Sequence, residues 1–256
     1  MLASYRGEVY AKTKTEAKWT GVYHVMVRGI NQQNIFEDDE DCERMLQILS
    51  DVKAVSKCGI YAYCLMGNHC HLLLKVGDEA LEQIIKRVGA RYVYWFNAKY
   101  KRAGHLFQDR YKSEALENDR HLLGVLRYIH HNPIQAGHCK ALTDYPWSSY
   151  REYVGTQRIV DTDFVFDLVG KKDFEGFSRK EVAGEHLEQG ETAFRFPDME
   201  AKAIIEEVSK CSSSSEFQQL DSSRQREFLK AFKEKGLSIR QISRLTGISK
   251  GIVERS

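Results

Sequence analysis

Two apolar runs, Ile60–Met66 and His69–Val76, meet at Gly67-Asn68. A tight-turn pair between two strand-like runs makes them a hairpin, and the neighbouring segments have to fit around it. Upstream, residues 20–30 set Val22, His24 and Met26 against Tyr23, Val25 and Val27 with the period of a strand. Residues 38–57 read as a helix, with acid loading the first turn and Met45, Ile48, Leu49, Val52 and Val55 forming an apolar stripe that Gly59 stops. Downstream, Leu81–Lys101 reads as a second helix and His105–Leu116 as a fourth strand. Asn118-Asp119 then caps a third helix, which Pro133 is expected to end.

The order β-α-β-β-α-β followed by a helix predicts an α+β fold with a ferredoxin-like antiparallel sheet, strands one and three at its centre. His69 and His71 would then lie mid-sheet. With 256 residues, and roughly 150 per domain, there is room for more. From about Thr156 the periodicity fades, Cys211-Ser-Ser-Ser-Ser215 reads as a linker, and Glu216–Ser256 is polar and helical. The expected division is 1–155, a connecting stretch 156–215 without a functional reading, and a tail 216–256. In that tail Ser238 caps an amphipathic helix, Gly247 makes a turn and Ser249 caps another helix. This is a helix-turn-helix pattern whose second helix would face a DNA major groove, with an ordinary helical hairpin as the plain alternative.

A net charge of +2 conceals two basic segments. Between Ile84 and Lys112, Lys86, Arg87, Arg91, Lys99, Lys101, Arg102, Arg110 and Lys112 face only Asp109, a local +7. Tyr92, Tyr94, Trp95, Phe96, Tyr100 and Phe107 are interleaved with them. Cations that track phosphates and rings that stack bases suit single-stranded nucleic acid, although some of these rings must be core. Between Arg224 and Arg255 nine basic residues oppose three acidic ones, among them Arg240, Arg244 and Lys250. No apolar run approaches the ~18 residues of a membrane span, and the first eighteen residues have no apolar signal core, so a cytoplasmic protein is expected. None of the six cysteines forms a CxxC pair, which fits reduced, mostly buried thiols.

Three features bear on chemistry. His69-Cys70-His71 puts two imidazoles on one strand face about 7 Å apart at the backbone, close enough to hold one metal ion. Tyr128 and Asn132 share a helix face, and the basic-aromatic cluster, ending Phe107-Gln108-Asp109-Arg110-Tyr111-Lys112, precedes them. A tyrosine can attack a DNA phosphodiester while a divalent cation polarises the phosphate. Asn132 could supply a third ligand. Mg²⁺ prefers oxygen, whereas Mn²⁺ accepts imidazole more readily.

At these positions the chain resembles the single-tyrosine transposases with a His-hydrophobic-His motif. Gly67-Asn68-His69-Cys70-His71-Leu72-Leu73-Leu74 carries that motif. Arg127-Tyr128-Ile129-His130-His131-Asn132-Pro133-Ile134-Gln135-Ala136-Gly137 resembles the tyrosine segment of their REP-associated branch. Residues 23–29, 104–113 and 147–150 match as well, so the likeness spans roughly 15–155 in the expected order. It implies a ferredoxin-like nuclease that cleaves and rejoins single-stranded DNA, often beside a hairpin. Tyr128 would become joined to a 5′-phosphate and leave a free 3′-OH. His69, His71 and Asn132 would hold Mg²⁺ or Mn²⁺, with His131 an outer neighbour of the site. The residues expected to face DNA are Arg28, Lys86, Arg87, Arg91, Lys99, Arg102, Gln108, Arg110 and Lys112, with Arg240, Arg244 and Lys250 on the tail for duplex DNA. Swapped dimers in the wider family make a homodimer an expectation. The competing reading is a DNA-binding regulator or repeat-processing protein that keeps the fold without transposing. A zinc-stabilised interaction domain lacks the required ligands.

Overall fold

The computed structural model describes residues 21–108, 110–180 and 198–256. The first twenty residues of the expected 1–155 unit, Asp109, and 181–197 lie outside the described residues. Strand β1 (Val22–Arg28) leads through a 3₁₀ turn (Ile30–Gln32) to helix α1 (Asp39–Ser56), then to β2 (Gly59–Met66) and β3 (His69–Lys75). Helix α2 (Leu81–Lys99), β4 (Lys112–Ala115) and α3 (Asp119–Gln135) complete the expected order. The sheet runs β2-β3-β1-β4, antiparallel throughout, so β1 and β3 are central.

Helix α1 starts where acid accumulates because Asp38 and Asp41 form a reciprocal capping box. Met45, Ile48, Leu49 and Val52 are buried against the sheet, but Val55, expected on the same stripe, is 59% exposed. The helix ends at Lys57, which adopts the left-handed conformation at φ 52°. Gly59, expected as the stop, instead opens β2. Helix α2 likewise ends two residues short of the expected Lys101, which takes φ 49°. Leu72 and Leu74 of β3 meet Leu49, Val52, Ile84 and Val88 of α1 and α2, so these helices cover one sheet face.

Two further expectations give way to geometry. The fourth strand is only four residues long, and the preceding loop contributes a single bridge from Phe107 to Gly29. Pro133 does not end α3: proline costs the helix one amide donor, and α3 continues to Gln135. Gly137 follows at φ +75°, where a side chain would be strained. Asn118 does cap it, accepting from the His121 amide at 2.9 Å.

The outer edge of β2 is covered by the chain after α3. Leu65 N–H donates to Trp147 O at 2.9 Å, and the Tyr63 amide donates to Ser149 Oγ at 2.9 Å. Short helices α4 (Tyr150–Val154), α5 (Asp163–Val169) and α6 (Phe174–Ser178) follow. They pack Tyr150, Tyr153, Val165 and Phe174 into the first core. A second core is built by α7 (Asp198–Ser209), α8 (Ser214–Gln219), α9 (Ser222–Glu234), α10 (Ile239–Thr246) and α11 (Lys250–Arg255), from Ala201 through Phe217 and Phe232 to Val253. The two cores do not respect boundaries at 155 and 215: the first extends to Phe174 and the second begins at Ala201.

The two units meet at the segment after β1. Glu37 Oε1 accepts from the Ser214 amide at 3.0 Å and from its hydroxyl, and Lys202 Nζ reaches the Glu37 carbonyl at 3.3 Å. Burial raises the Glu37 pKa above its ordinary 4.5, outweighing Ser214 and Lys202, which lower it. The protonated form is thus favoured in the docked state. Its contribution is fully present below 4.5 and is lost as pH rises through the raised value. Docking should therefore loosen on raising pH across that window, read as a falling protection factor of the Ser214 amide, its exchange rate taken relative to the intrinsic base-catalysed one. Glu37→Gln should flatten the profile, and an unchanged profile would refute the assignment.

Candidate active site

The register of the central strands assembles the site. Arg28 lies opposite His69, Met26 opposite His71 and His24 opposite Leu73, so these side chains share one sheet face. Cys70 and Leu72 point to the other. Helix α3 lies across the histidine face. Its Tyr128 ring stands edge-on to His71, centroids 5.4 Å apart, and to His24 at 5.9 Å. Four residues on, Asn132 Nδ2 comes within 3.4 Å of His71 Nε2. His69 and His71 ring centroids are 5.1 Å apart. The four residues expected from the motifs therefore converge. Tyr128 is only 7% exposed.

Protons in the cluster follow from the partners. Asn68 Oδ1 lies 2.6 Å from His69 Nδ1. An amide oxygen only accepts, so that nitrogen carries the proton and Nε2 keeps its lone pair. Among the described residues no three His, Cys, Asp or Glu side chains converge as a ready-made metal site. A cation here would rely on two imidazoles and the oxygen of Asn132 after its amide turns over.

His24 joins the cluster without having been singled out by the motifs. It is fully buried, and its Nε2 lies 3.0 Å from His71 Nδ1. The available signal was a histidine inside an apolar alternating strand. The two histidines just before Asn132 go elsewhere. His130 Nε2 meets Ser149 Oγ at 2.9 Å among Tyr150, Tyr153 and Phe174. Burial, helped by His131, depresses its pKa to about 3, so it is a neutral core residue. His131, expected beside the tyrosine, donates from Nε2 to Ser178 O at 2.7 Å and ties α3 to α6.

The +7 segment divides into structural and available cations. Lys99 pairs with Asp38, Glu40 and Asp41 at 2.7–2.9 Å. Partial burial pulls its pKa down, but the three carboxylates outweigh this and hold it above the ordinary lysine value. Arg87 pairs with Glu79 at 2.8 Å, Arg91 lies 3.9 Å from Asp51, and Arg102 stacks over Phe96 and meets Gln33. The acid that cancels much of the segment thus sits in or beside α1, across the fold. Lys86, Gln108, Arg110 and Lys112 are exposed, and the Gln108 amide donates to Arg28 O at 2.8 Å, which sets its loop beside the histidine strand. Lys86 and Arg110 also line a cavity of about 570 Å³ on the opposite sheet face. Of the rings, Tyr92 and Phe96 are fully buried whereas Tyr94 is 81% exposed.

In the tail, Ser238 caps α10 as expected and Gly247 turns at φ 71°, but Ser249 forms no side-chain cap at α11. Arg244 is buried within α10 and cannot reach a groove, whereas Arg240 and Lys250 are exposed. Among the described residues no helix is long and apolar enough to cross a membrane.

Residues 17–132 match the family described as IS200-like transposases. A Haemophilus influenzae protein named as a REP-associated tyrosine transposase is 27% identical over 105 residues, or 36% of this chain, and the chain spans 59% of that relative's length. A solved structure of a REP-associated tyrosine transposase bound to a REP hairpin superposes with a TM-score of 0.51 at 16% identity. It covers 75% of this chain and all of that one, a likeness of fold. The resemblance read from the motifs agrees with these matches.

The division of cations has a direct check. Lys99→Met should lower unfolding free energy by about 1.5–3 kcal/mol, the scale of hydrogen bonds to charged groups, while leaving oligonucleotide affinity within about two-fold. Lys112→Ala, on the histidine face opposite Met26, should do the reverse. A Lys99 variant that binds oligonucleotide poorly yet melts normally would overturn the structural assignment.

Proposed function

We propose that the chain, whose residues 17–132 match the IS200-like transposases, cleaves and rejoins single-stranded DNA through Tyr128. The observation that carries the reading is the convergence of Tyr128, His69, His71 and Asn132 on one buried face. Tyr128 Oη attacks the phosphorus, forming an O–P bond to the 5′ side and breaking the bond to O3′. The phenol gives up one proton and the departing 3′ oxygen gains one, so the step balances, and its reversal by another 3′-OH rejoins the strand. Arg28, Gln108 and Lys112 offset the charge of the incoming backbone. A hairpin beside the cleavage point is the expected substrate, in keeping with the REP hairpin bound by the structural relative.

The donor set fits a divalent cation. His69 keeps its Nε2 lone pair, His71 turns Nε2 toward Asn132, and two imidazoles with one amide oxygen suit Mn²⁺ better than Mg²⁺. When bound there, such an ion supplies Lewis-acid polarisation of a phosphate oxygen. The tail would add duplex affinity through Arg240 and Lys250.

Incubating a labelled single-stranded hairpin oligonucleotide with Mn²⁺ and resolving it on a denaturing gel should reveal a covalent adduct that Tyr128→Phe abolishes. An undiminished adduct in that variant would sink the nucleophile. His69→Ala should abolish cleavage and leave binding largely intact; equal loss of both would make the histidine structural. For the tail, Arg240→Ala with Lys250→Ala should flatten the salt dependence of duplex binding by about 0.9 per lost phosphate contact, without changing oligonucleotide nicking. An unchanged slope would remove the tail from the interface.

A further inference from the structure

His71 can serve a cation only if its outer nitrogen carries a lone pair, and a buried imidazole has two tautomers from which to choose. Among the described residues, Asn132, His24 and Glu114 bear on that choice. Asn132 turns its Nδ2 toward Nε2 of His71 at 3.4 Å, and an amide nitrogen donates, so a protonated Nε2 would set donor against donor. On the opposite side of the ring, His24 Nε2 lies 3.0 Å from His71 Nδ1, and one of these nitrogens must carry the proton between them. Behind His24, its Nδ1 faces Glu114 Oε2 at 3.9 Å, because β4 pairs with β1 so that Glu114 stands opposite His24. A carboxylate favours a proton on the nitrogen nearest to it. His24 then carries its proton at Nδ1 and offers its Nε2 lone pair to His71. His71 is protonated at Nδ1, and its lone pair is left at Nε2. Glu114 is itself held from its other oxygen by His121 Nε2 at 3.1 Å.

We infer that His24 is a positioning residue that fixes the tautomer and tilt of His71, and that Glu114 on β4 sets the direction of the pair. A hydrogen bond to the inner nitrogen of a ligating histidine both orients the ring and raises its basicity. Here the acceptor is a second imidazole rather than the more usual carboxylate or carbonyl, with the carboxylate one residue further out. The inference rests on the reading of His71 as a metal ligand for its purpose, but the tautomer itself is a property of the metal-free protein and can be measured there.

The test uses the full-length protein labelled with ¹⁵N on histidine. Long-range ¹H–¹⁵N spectra of the metal-free wild type should show His71 protonated at Nδ1. In His24→Leu, which cannot accept, the Asn132 amide can turn its oxygen toward Nε2, and His71 should move to the Nε2–H form, the one favoured by free imidazole. In His24→Gln, whose amide oxygen can accept, the Nδ1–H form should return. Glu114→Gln, at a partly exposed strand position, should shift the same equilibrium and keeps the test decisive should His24→Leu fail to fold. Mn²⁺ titration followed by electron paramagnetic resonance should then show about 10–100-fold weaker binding in His24→Leu and near-normal binding in His24→Gln. His71→Ala separates the two claims. If that variant binds Mn²⁺ as tightly as wild type, the metal reading fails while the tautomer result still stands. If His71→Ala weakens binding but His71 keeps its Nδ1–H form and its Mn²⁺ affinity in His24→Leu, or in Glu114→Gln where the former does not fold, the positioning role is overturned.

Discussion

The antiparallel pairing of β1 with β3 runs unbroken from Val22 opposite Lys75 to Arg28 opposite His69. Because strand side chains alternate, a slip of one residue would send His24, Met26 and Arg28 into the α1–α2 core and bring Val25 and Val27 to the histidines. Neither face tolerates the exchange. One is lined by Leu72, Leu74 and the helical apolar stripes, and the other holds imidazoles that need polar partners. Burial therefore locks the register, and the register places the chemistry. Helix α3 completes the arrangement from outside the sheet, pressing Tyr128 and Asn132 onto a surface whose spacing is already set.

Much of this was legible beforehand, for reasons that differ by residue. His69 with His71, and Tyr128 with Asn132, are pairs within one element, and the periods of strand and helix alone bring each pair to one face. The split order of strands put β1 and β3 in the centre. His24 was hidden because its role arises across the sheet, from a partner 47 residues away and a carboxylate on β4. Lys99 was misplaced for the same reason: its three carboxylates belong to the start of α1, about sixty residues earlier. Pro133 and Gly59 misled as stop signals because the chain terminated those helices with Gly137 and Lys57 instead. Arg244 looked like a groove-facing cation, but the tail buries the helix that carries it.

The two basic segments that seemed alike in sequence are built differently. In the first, ion pairs stitch α2 to α1 and to the loop before it, leaving the free cations on the loop that runs beside β1 and on β4. In the second, a separate core of α7 to α11 is seated on residues 33–37 through Gln218, Ser214 and Lys202. That seat follows directly from the strand that carries His24 and Arg28, so the tail and the histidine face share one stretch of chain.

The shortness of β4 has a mechanical side. Leu116, just beyond the strand, is buried and its amide is bonded to Val22 O at 2.9 Å. Asn118 is already the cap of α3. Glu117 is thus the whole length of slack between the sheet and the helix that bears Tyr128. A phenol mounted on so short a tether cannot wander from the histidines unless the cap opens or Leu116 lets go. The aim of Tyr128 is set by how little chain precedes its helix as well as by the contacts it makes.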